Sequence, residues 1–89
     1  MKSKATKQFW QLLDALPLSI QRQARDSYRL WQDNPRHPSV RFKRVHPVEP
    51  IYSARVNNNY RALGLLDEDT IIWFWIGNHG VYDRLLKQL

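Results

Sequence analysis

The sequence contains no cysteine, which excludes disulfides, thiolate nucleophiles and thiolate metal sites. Its 3 histidines, His37, His46 and His79, lack the spacing of metal ligands. No apolar run approaches the ~20 residues that cross a bilayer, and the opening MKSKATKQFW lacks the apolar core of a signal peptide. We therefore expect a cytoplasmic protein that needs no metal or other cofactor.

Acidic residues are scarce in the middle of the chain, where Glu49 is the single acid between Arg36 and Arg61. The same segment carries most of a basic excess that gives a net charge of +6 and a pI near 10.1. Such a concentration of positive charge favours a polyanion or an acidic protein as partner. A solvated basic face that keeps the protein soluble is the alternative interpretation.

The first half of the sequence predicts two helices. Phe9, Leu12, Leu13 and Leu16 follow helical spacing up to Pro17. A second helix is predicted to begin at Leu18 or Ser19 and carries its own apolar stripe. That stripe reaches Trp31, and Pro35 and Pro38 end it. The lead from Met1 to Lys4 is expected to fray.

The second half predicts four strands, at residues 40–45, 51–56, 60–66 and 70–77. The last of these, TIIWFWIG, is apolar on both alternating sets of positions, which is typical of a strand buried on both faces. Strict alternation would put Trp73 and Trp75 on one face and Ile72, Phe74 and Ile76 on the other. We predict that the tryptophans pack in the core rather than stack on bases.

Asn57, Asn58 and Asn59 separate two of these strands and predict a tight hairpin loop. An antiparallel pairing through that loop puts Arg55 opposite Arg61, about 5 Å apart at Cβ, where like charges are destabilising. An anion held between the guanidinium groups would explain the pairing. The alternative is that both arginines extend into water.

Gly77 ends the last strand, and Asn78 is predicted to cap a short helix on which His79, Tyr82 and Leu86 share one face. Histidine exchanges protons near neutral pH, so His79 is a candidate acid or base if the two arginines lie nearby. A lone histidine is more often structural. The predicted fold is a single α+β domain over residues 1–89, with two N-terminal helices on a four-stranded antiparallel sheet and a short C-terminal helix.

The run Y-x-A-R-x(4)-Y-R-A-L-G, followed by I-x-W-F-W-I-G-x-H-x-x-Y-D-x-L, resembles the RelE/ParE superfamily of bacterial toxins. The resemblance extends over essentially the whole chain, although its specific motifs lie in the second half. It implies a toxin with a cognate antitoxin that lays an acidic, amphipathic segment across the basic face. It also implies one of two activities: ribosome-associated cleavage of mRNA, or inhibition of DNA gyrase without nuclease activity.

Under this resemblance, Arg61 corresponds to the strand arginine that contacts the scissile phosphate, and Arg55 to a basic position on the preceding strand. His79 stands where related nucleases place a C-terminal histidine or arginine, and Tyr82 lies near a tyrosine used in proton transfer. Ser53 departs from the pattern, because the best-known nucleases have a basic residue there, and the central strands offer no carboxylate base.

The leading hypothesis is a metal-independent mRNA endonuclease with His79, Arg61, Arg55 and Tyr82 as catalytic residues. We predict that Arg41, Lys43 and Arg44 contact RNA. A non-catalytic toxin and an inactive RNA-binding relative remain the alternatives.

Overall fold

The computed structural model describes residues 1–89 and contains three helices and one five-stranded sheet. In chain order the elements are β1 (Lys2–Ala5), α1 (Lys7–Asp14), α2 (Leu18–Asp33), β2 (Lys43–Arg44), β3 (Ile51–Arg55), β4 (Tyr60–Asp67), β5 (Thr70–Asn78) and α3 (His79–Gln88). The strand order is β1-β5-β4-β3-β2, with β1 parallel to β5 and the other pairs antiparallel. The predicted α+β class is confirmed, whereas the predicted four-stranded antiparallel sheet is wrong.

The additional strand is β1, in the segment that was expected to fray. The backbone N–H of Lys2 donates to the carbonyl of Asp69 at 3.1 Å, and that of Thr6 donates to Trp73 at 2.9 Å. Two Lys side chains in a segment of four residues hide its strand character in the sequence, and the parallel partner lies more than 60 residues away. As a result β5 is an inner strand.

The strand predicted at residues 40–45 is reduced to Lys43–Arg44. Arg41 has a φ of 48°, which interrupts any extended run through it, since this left-handed region is incompatible with a strand. Val40 nevertheless points into the core and is 1% exposed. Its carbonyl accepts a hydrogen bond from the Arg55 N–H at 2.6 Å, so this segment still lies beside β3.

The core has two parts, one on each face of the sheet. On the face covered by α1 and α2, which we call the α1/α2 face, Leu13 and Trp31 pack on sheet residues that include Trp73 and Ile76. On the opposite face, the α3 face, Tyr82 packs with Ile51, Leu63 and Trp75. Leu12 of α1 packs against both parts.

A β-bulge explains why the predicted face of Trp75 is wrong. Leu63 pairs with Trp75 and Gly64 pairs with Trp73, so Phe74 is the extra residue on β5. The insertion reverses the alternation, and Trp73 therefore lies on the α1/α2 face while Trp75 lies on the α3 face. Both tryptophans pack in the core, as predicted.

Side-chain hydrogen bonds cap the N-termini of α1 and α3. Thr6 caps α1 by accepting from the N–H of Phe9 at 3.1 Å. The predicted cap of α3 is confirmed, because the Asn78 side chain accepts from the N–H of Val81 at 3.0 Å. None of the three helices has the length and apolar character required to cross a bilayer.

Candidate active site

The two arginines of the hairpin lie opposite one another, as the sequence predicts. Arg55 pairs with Arg61 across β3 and β4, and the alternation of both strands turns both side chains to the α3 face. The guanidinium groups are therefore neighbours on the face that also carries α3. Two like charges in this arrangement repel one another and favour an anion between them.

The surroundings of Arg61 disfavour its positive charge. Partial burial, and then repulsion from Arg55, lower the pKa of the Arg61 guanidinium, and Arg41 adds a smaller repulsion. Tyr82 and Asp83 act in the opposite direction. Arginine stays protonated at neutral pH despite such a shift, so Arg61 is a partly desolvated cation that lacks a full counter-charge.

The asparagine loop between the two strands holds both guanidinium groups. Arg61 Nη1 donates to the backbone carbonyl of Asn57 at 2.5 Å and to that of Tyr60 at 3.0 Å. Arg55 Nη2 donates to the side-chain oxygen of Asn58. These bonds occupy part of each guanidinium and leave other N–H groups for a ligand.

His79 begins α3 at the same end of the sheet, and its backbone N–H donates to the carbonyl of Asn59 at 2.7 Å. Its Nδ1 lies 3.1 Å from Asp83 Oδ2, one helical turn further along, and both side chains are about half exposed. The imidazole and the Tyr82 ring are 5.6 Å apart, centroid to centroid. An accessible imidazole oriented by a carboxylate is suited to proton transfer.

The strand pairing separates the three residues predicted to contact RNA. Lys43 pairs with Ser53 and so faces the same side as Arg55 and Arg61, whereas Arg44 pairs with Tyr52 and faces the opposite side. Arg44 also donates to the backbone carbonyls of His46 at 3.1 Å and Val48 at 2.9 Å. Arg41 is exposed and close enough to influence Arg61.

Ser53 is only 2% exposed, so it presents no surface to a ligand. The nearest basic side chain to that position across the sheet belongs to Lys43. The α3 face therefore carries its charges on Lys43, Arg55 and Arg61, although the strand position that is basic in the best-known nucleases is a buried serine.

Two groups at this site are not predicted from the sequence above. Asp83 was not identified as the partner of His79, although a spacing of four residues on a predicted helix is a sufficient signal. The asparagines were assigned to a turn, and their hydrogen bonds to the arginines have no signature in the sequence. No group of three or more His, Cys, Asp or Glu side chains is placed to hold a metal ion.

Solved toxin structures have the same fold. A chain of the RelB–RelE antitoxin–toxin complex from Methanococcus jannaschii superposes with a TM-score of 0.72 at 20% identity, covering 91% of this chain and 96% of that one. YafQ from E. coli gives 0.68 at 12% identity, with coverages of 91% and 96%. A YoeB/ParE toxin from Agrobacterium tumefaciens gives 0.65 at 14% identity, with coverages of 89% and 99%.

A search of curated protein sequences finds no match. The family model of the ParE-like toxin domain, in contrast, matches residues 18–84, which include the hairpin, the bulged strand and the first turns of α3. That range is most of the chain and contains Arg55, Arg61, His79 and Tyr82. The protein therefore belongs to the family of ParE-like toxin domains.

Proposed function

We propose that this protein is the toxin of a toxin–antitoxin pair and that it cleaves mRNA on the ribosome without a metal ion. The observation that carries the proposal is the convergence of Arg55 and Arg61 with His79 and Tyr82 at one end of the α3 face. Two cations with spare N–H donors, next to an accessible proton carrier, match the needs of phosphodiester cleavage.

RNA supplies the nucleophile for this reaction. The 2′-hydroxyl loses its proton and attacks the adjacent phosphorus, the bond to the 5′-oxygen breaks, and that oxygen takes a proton. The products are a 2′,3′-cyclic phosphate and a free 5′-hydroxyl. The protein has to align the phosphate, stabilise the extra negative charge on it and move two protons.

The side chains divide these tasks according to their positions. Arg61 and Arg55 bind the scissile phosphate, for which the planar guanidinium provides bidentate contacts. His79 exchanges a proton with the reacting oxygens while Asp83 orients its ring. Tyr82, whose ring lies beside His79 and is 7% exposed, supports the imidazole or assists the second transfer. Lys43 on β2 and Arg41, which precedes the strand, extend the phosphate contacts. Arg44 contributes least because it faces the opposite side.

The proposed partner is a cognate antitoxin with an acidic, amphipathic segment. An open apolar groove of about 260 Å³ lies on the α1/α2 face, between the N-terminal part of the chain and α2. Its lining contains no acidic residue, and Arg25 on α2 is the cation at its rim, because Lys4 and Arg55 occupy strand positions whose side chains alternate to the other face. Apolar side chains of such a segment would fill the groove while its carboxylates meet this rim. Because the substrate is translated mRNA, the proposed activity belongs to the cytoplasm.

A second candidate is a toxin that inhibits gyrase by binding alone. Two observations favour it: the family model is that of ParE-like domains, and the strand position at Ser53 is buried and uncharged. Under this alternative the basic α3 face would contact the target without chemistry.

Mapping of mRNA 5′ ends after brief induction separates the two candidates. We expect new ends inside translated frames with the wild-type chain and none with His79→Ala or Arg61→Ala. His37→Ala is the matched control, because His37 lies in the loop after α2. DNA damage without new mRNA ends would favour the gyrase inhibitor, and a fully active Arg61→Ala protein would contradict the proposed nuclease.

A further inference from the structure

The three consecutive asparagines of the hairpin have the same side chain but different contacts. The Asn57 side-chain oxygen accepts from the N–H groups of Asn59 at 2.8 Å and Tyr60 at 3.0 Å, and its amide nitrogen donates to Gln23. Asn58 binds Arg55, and the Asn59 side chain makes no hydrogen bond within the chain. Identical residue types therefore offer an internal comparison within one loop.

Asn57 connects the loop to the rest of the molecule. Its link to Gln23 joins the loop to α2, and the neighbouring Val56 carbonyl accepts from Ser27 Oγ at 3.1 Å, one helical turn further along α2. The other end of the loop accepts the backbone N–H of His79 through Asn59. The loop is thus fixed to α2 on one side and to the start of α3 on the other.

The same residue also sets the position of Arg61, because its backbone carbonyl accepts the 2.5 Å bond from Arg61 Nη1. A flexible arginine beside a second cation would otherwise move away from it, at a gain in rotamer entropy. We propose that Asn57 is a positioning residue that holds Arg61 in register with Arg55 and His79 for phosphate binding. This inference rests on the phosphate-binding role of Arg61 in the proposed function.

Binding of a single-stranded 2′-O-methyl RNA oligonucleotide tests the inference, since such RNA binds but lacks the hydroxyl needed for cleavage. Asn57→Ala keeps the backbone carbonyl that accepts from Arg61 but removes the three side-chain hydrogen bonds that fix the loop carrying it. We therefore expect binding to weaken about tenfold. Asn59→Ala is the matched control in the same loop, and we expect it to bind like the wild type.

The dependence of binding on salt separates positioning from a general loss of stability. Each phosphate contact to a single strand contributes about −0.7 to the slope of log K against log salt. A displaced Arg61 removes one such contact, so the slope for Asn57→Ala becomes shallower by about that amount. A merely destabilised protein keeps the wild-type slope at temperatures well below its Tm, and that result would overturn the proposal.

Gln23→Ala tests the same link if Asn57→Ala does not fold. Gln23 is exposed on α2, and its only side-chain hydrogen bond in the structure is the one to Asn57. We expect about threefold weaker binding, within the usual range for one hydrogen bond, whereas Gln32→Ala, an exposed glutamine near the other end of α2, has no effect. Wild-type binding by both Asn57→Ala and Gln23→Ala, with weakened binding by Arg61→Ala, would overturn the positioning role alone. Wild-type binding by Arg61→Ala would overturn the phosphate site itself.

Discussion

Arg61 has an unfavourable environment in the unliganded protein. Burial and the Arg55 charge lower its pKa, which means that the folded state disfavours the charged form that the group retains at neutral pH. Both the folded and unfolded pKa values of an arginine lie far above neutrality, so stability is not expected to change with pH near 7 on this account. An anion, in contrast, would relieve the repulsion directly.

We therefore expect inorganic phosphate to raise the Tm of the wild-type protein at constant ionic strength. Phosphate at ten times its Kd stabilises by about 1.4 kcal/mol, which is several degrees for a domain of this size. Thermal melts in phosphate and in chloride measure the difference. Arg61→Ala should abolish it, while Arg22→Ala, an exposed arginine on α2, should not. An equal shift in all three proteins would contradict a specific site.

The contact between His79 and Asp83 is half exposed, so its contribution to stability is small, about 0–1 kcal/mol. Its proposed value lies in the orientation of the imidazole. We expect Asp83→Asn to reduce RNA cleavage about tenfold or more, as loss of part of a proton-transfer arrangement does, with little change in Tm. Asp26→Asn removes another exposed pair within one helix turn, that with Arg29, and is the matched control. Equal cleavage by both variants would contradict the orienting role.

At the scale of elements, the sequence predicted the hairpin, the α3 cap and all three helices because each depends on local signals. The Asn loop, the Asn78 cap and the proline stops act within a few residues of one another. The misses depend on distant partners or on backbone conformation. β1 forms because β5 offers an unpaired edge to it. β2 is short because Arg41 has a left-handed backbone conformation, and no glycine in the sequence signals that conformation.

The bulge in β5 is the miss with the largest effect on the candidate site. It turns Trp75 to the α3 face, where the indole lies over Gly77 and packs with Tyr82. The sequence does not reveal the insertion, because residues 71–76 are all apolar and show no alternation of polar and apolar side chains. The pairing of the two arginines is predictable from the sequence. The position of Trp75 beside them on the α3 face is not.

Gly64, beside the bulge, tests how closely the strands pack there. A Cβ at this position would lie 2.7 Å from Ile71 Cγ1 and 2.9 Å from Trp73 Cε3, both in the core. We expect Gly64→Ala to destabilise the protein by about 1–3 kcal/mol, the usual cost of overpacking, as measured by denaturant unfolding. In Gly80→Ala the new methyl group meets only Asn78 Oδ1 at 3.6 Å, and better helix propensity should leave stability equal or higher. Equal losses in both would contradict the close packing.

Across the whole molecule the net charge is +6, but only the positive charges on the α3 face are expected to bind RNA. Lys43 and Arg44 are adjacent in sequence but face opposite sides of the sheet. This pair therefore separates the effect of net charge from the effect of location, because each substitution removes one positive charge.

We expect Lys43→Ala to weaken binding of single-stranded RNA and to reduce its salt slope by about 0.7, the loss of one phosphate contact. Arg44→Ala should leave both quantities unchanged, although its bonds to the loop after β2 will be lost. Titrations at several salt concentrations give the two slopes. Equal reductions in both variants would indicate that RNA responds to total charge and not to the α3 face.

The bulge also gives each side of the sheet its own optical probe. Trp75 lies next to Tyr82, at a centroid distance of 6.4 Å, on the side of the candidate active site. Trp31 and Trp73, 5.4 Å apart and nearly perpendicular, lie on the other side beneath the groove, and Trp10 at its margin is 54% exposed. Variants that retain one indole each would let fluorescence follow events at the groove and at the arginines separately, without an added label.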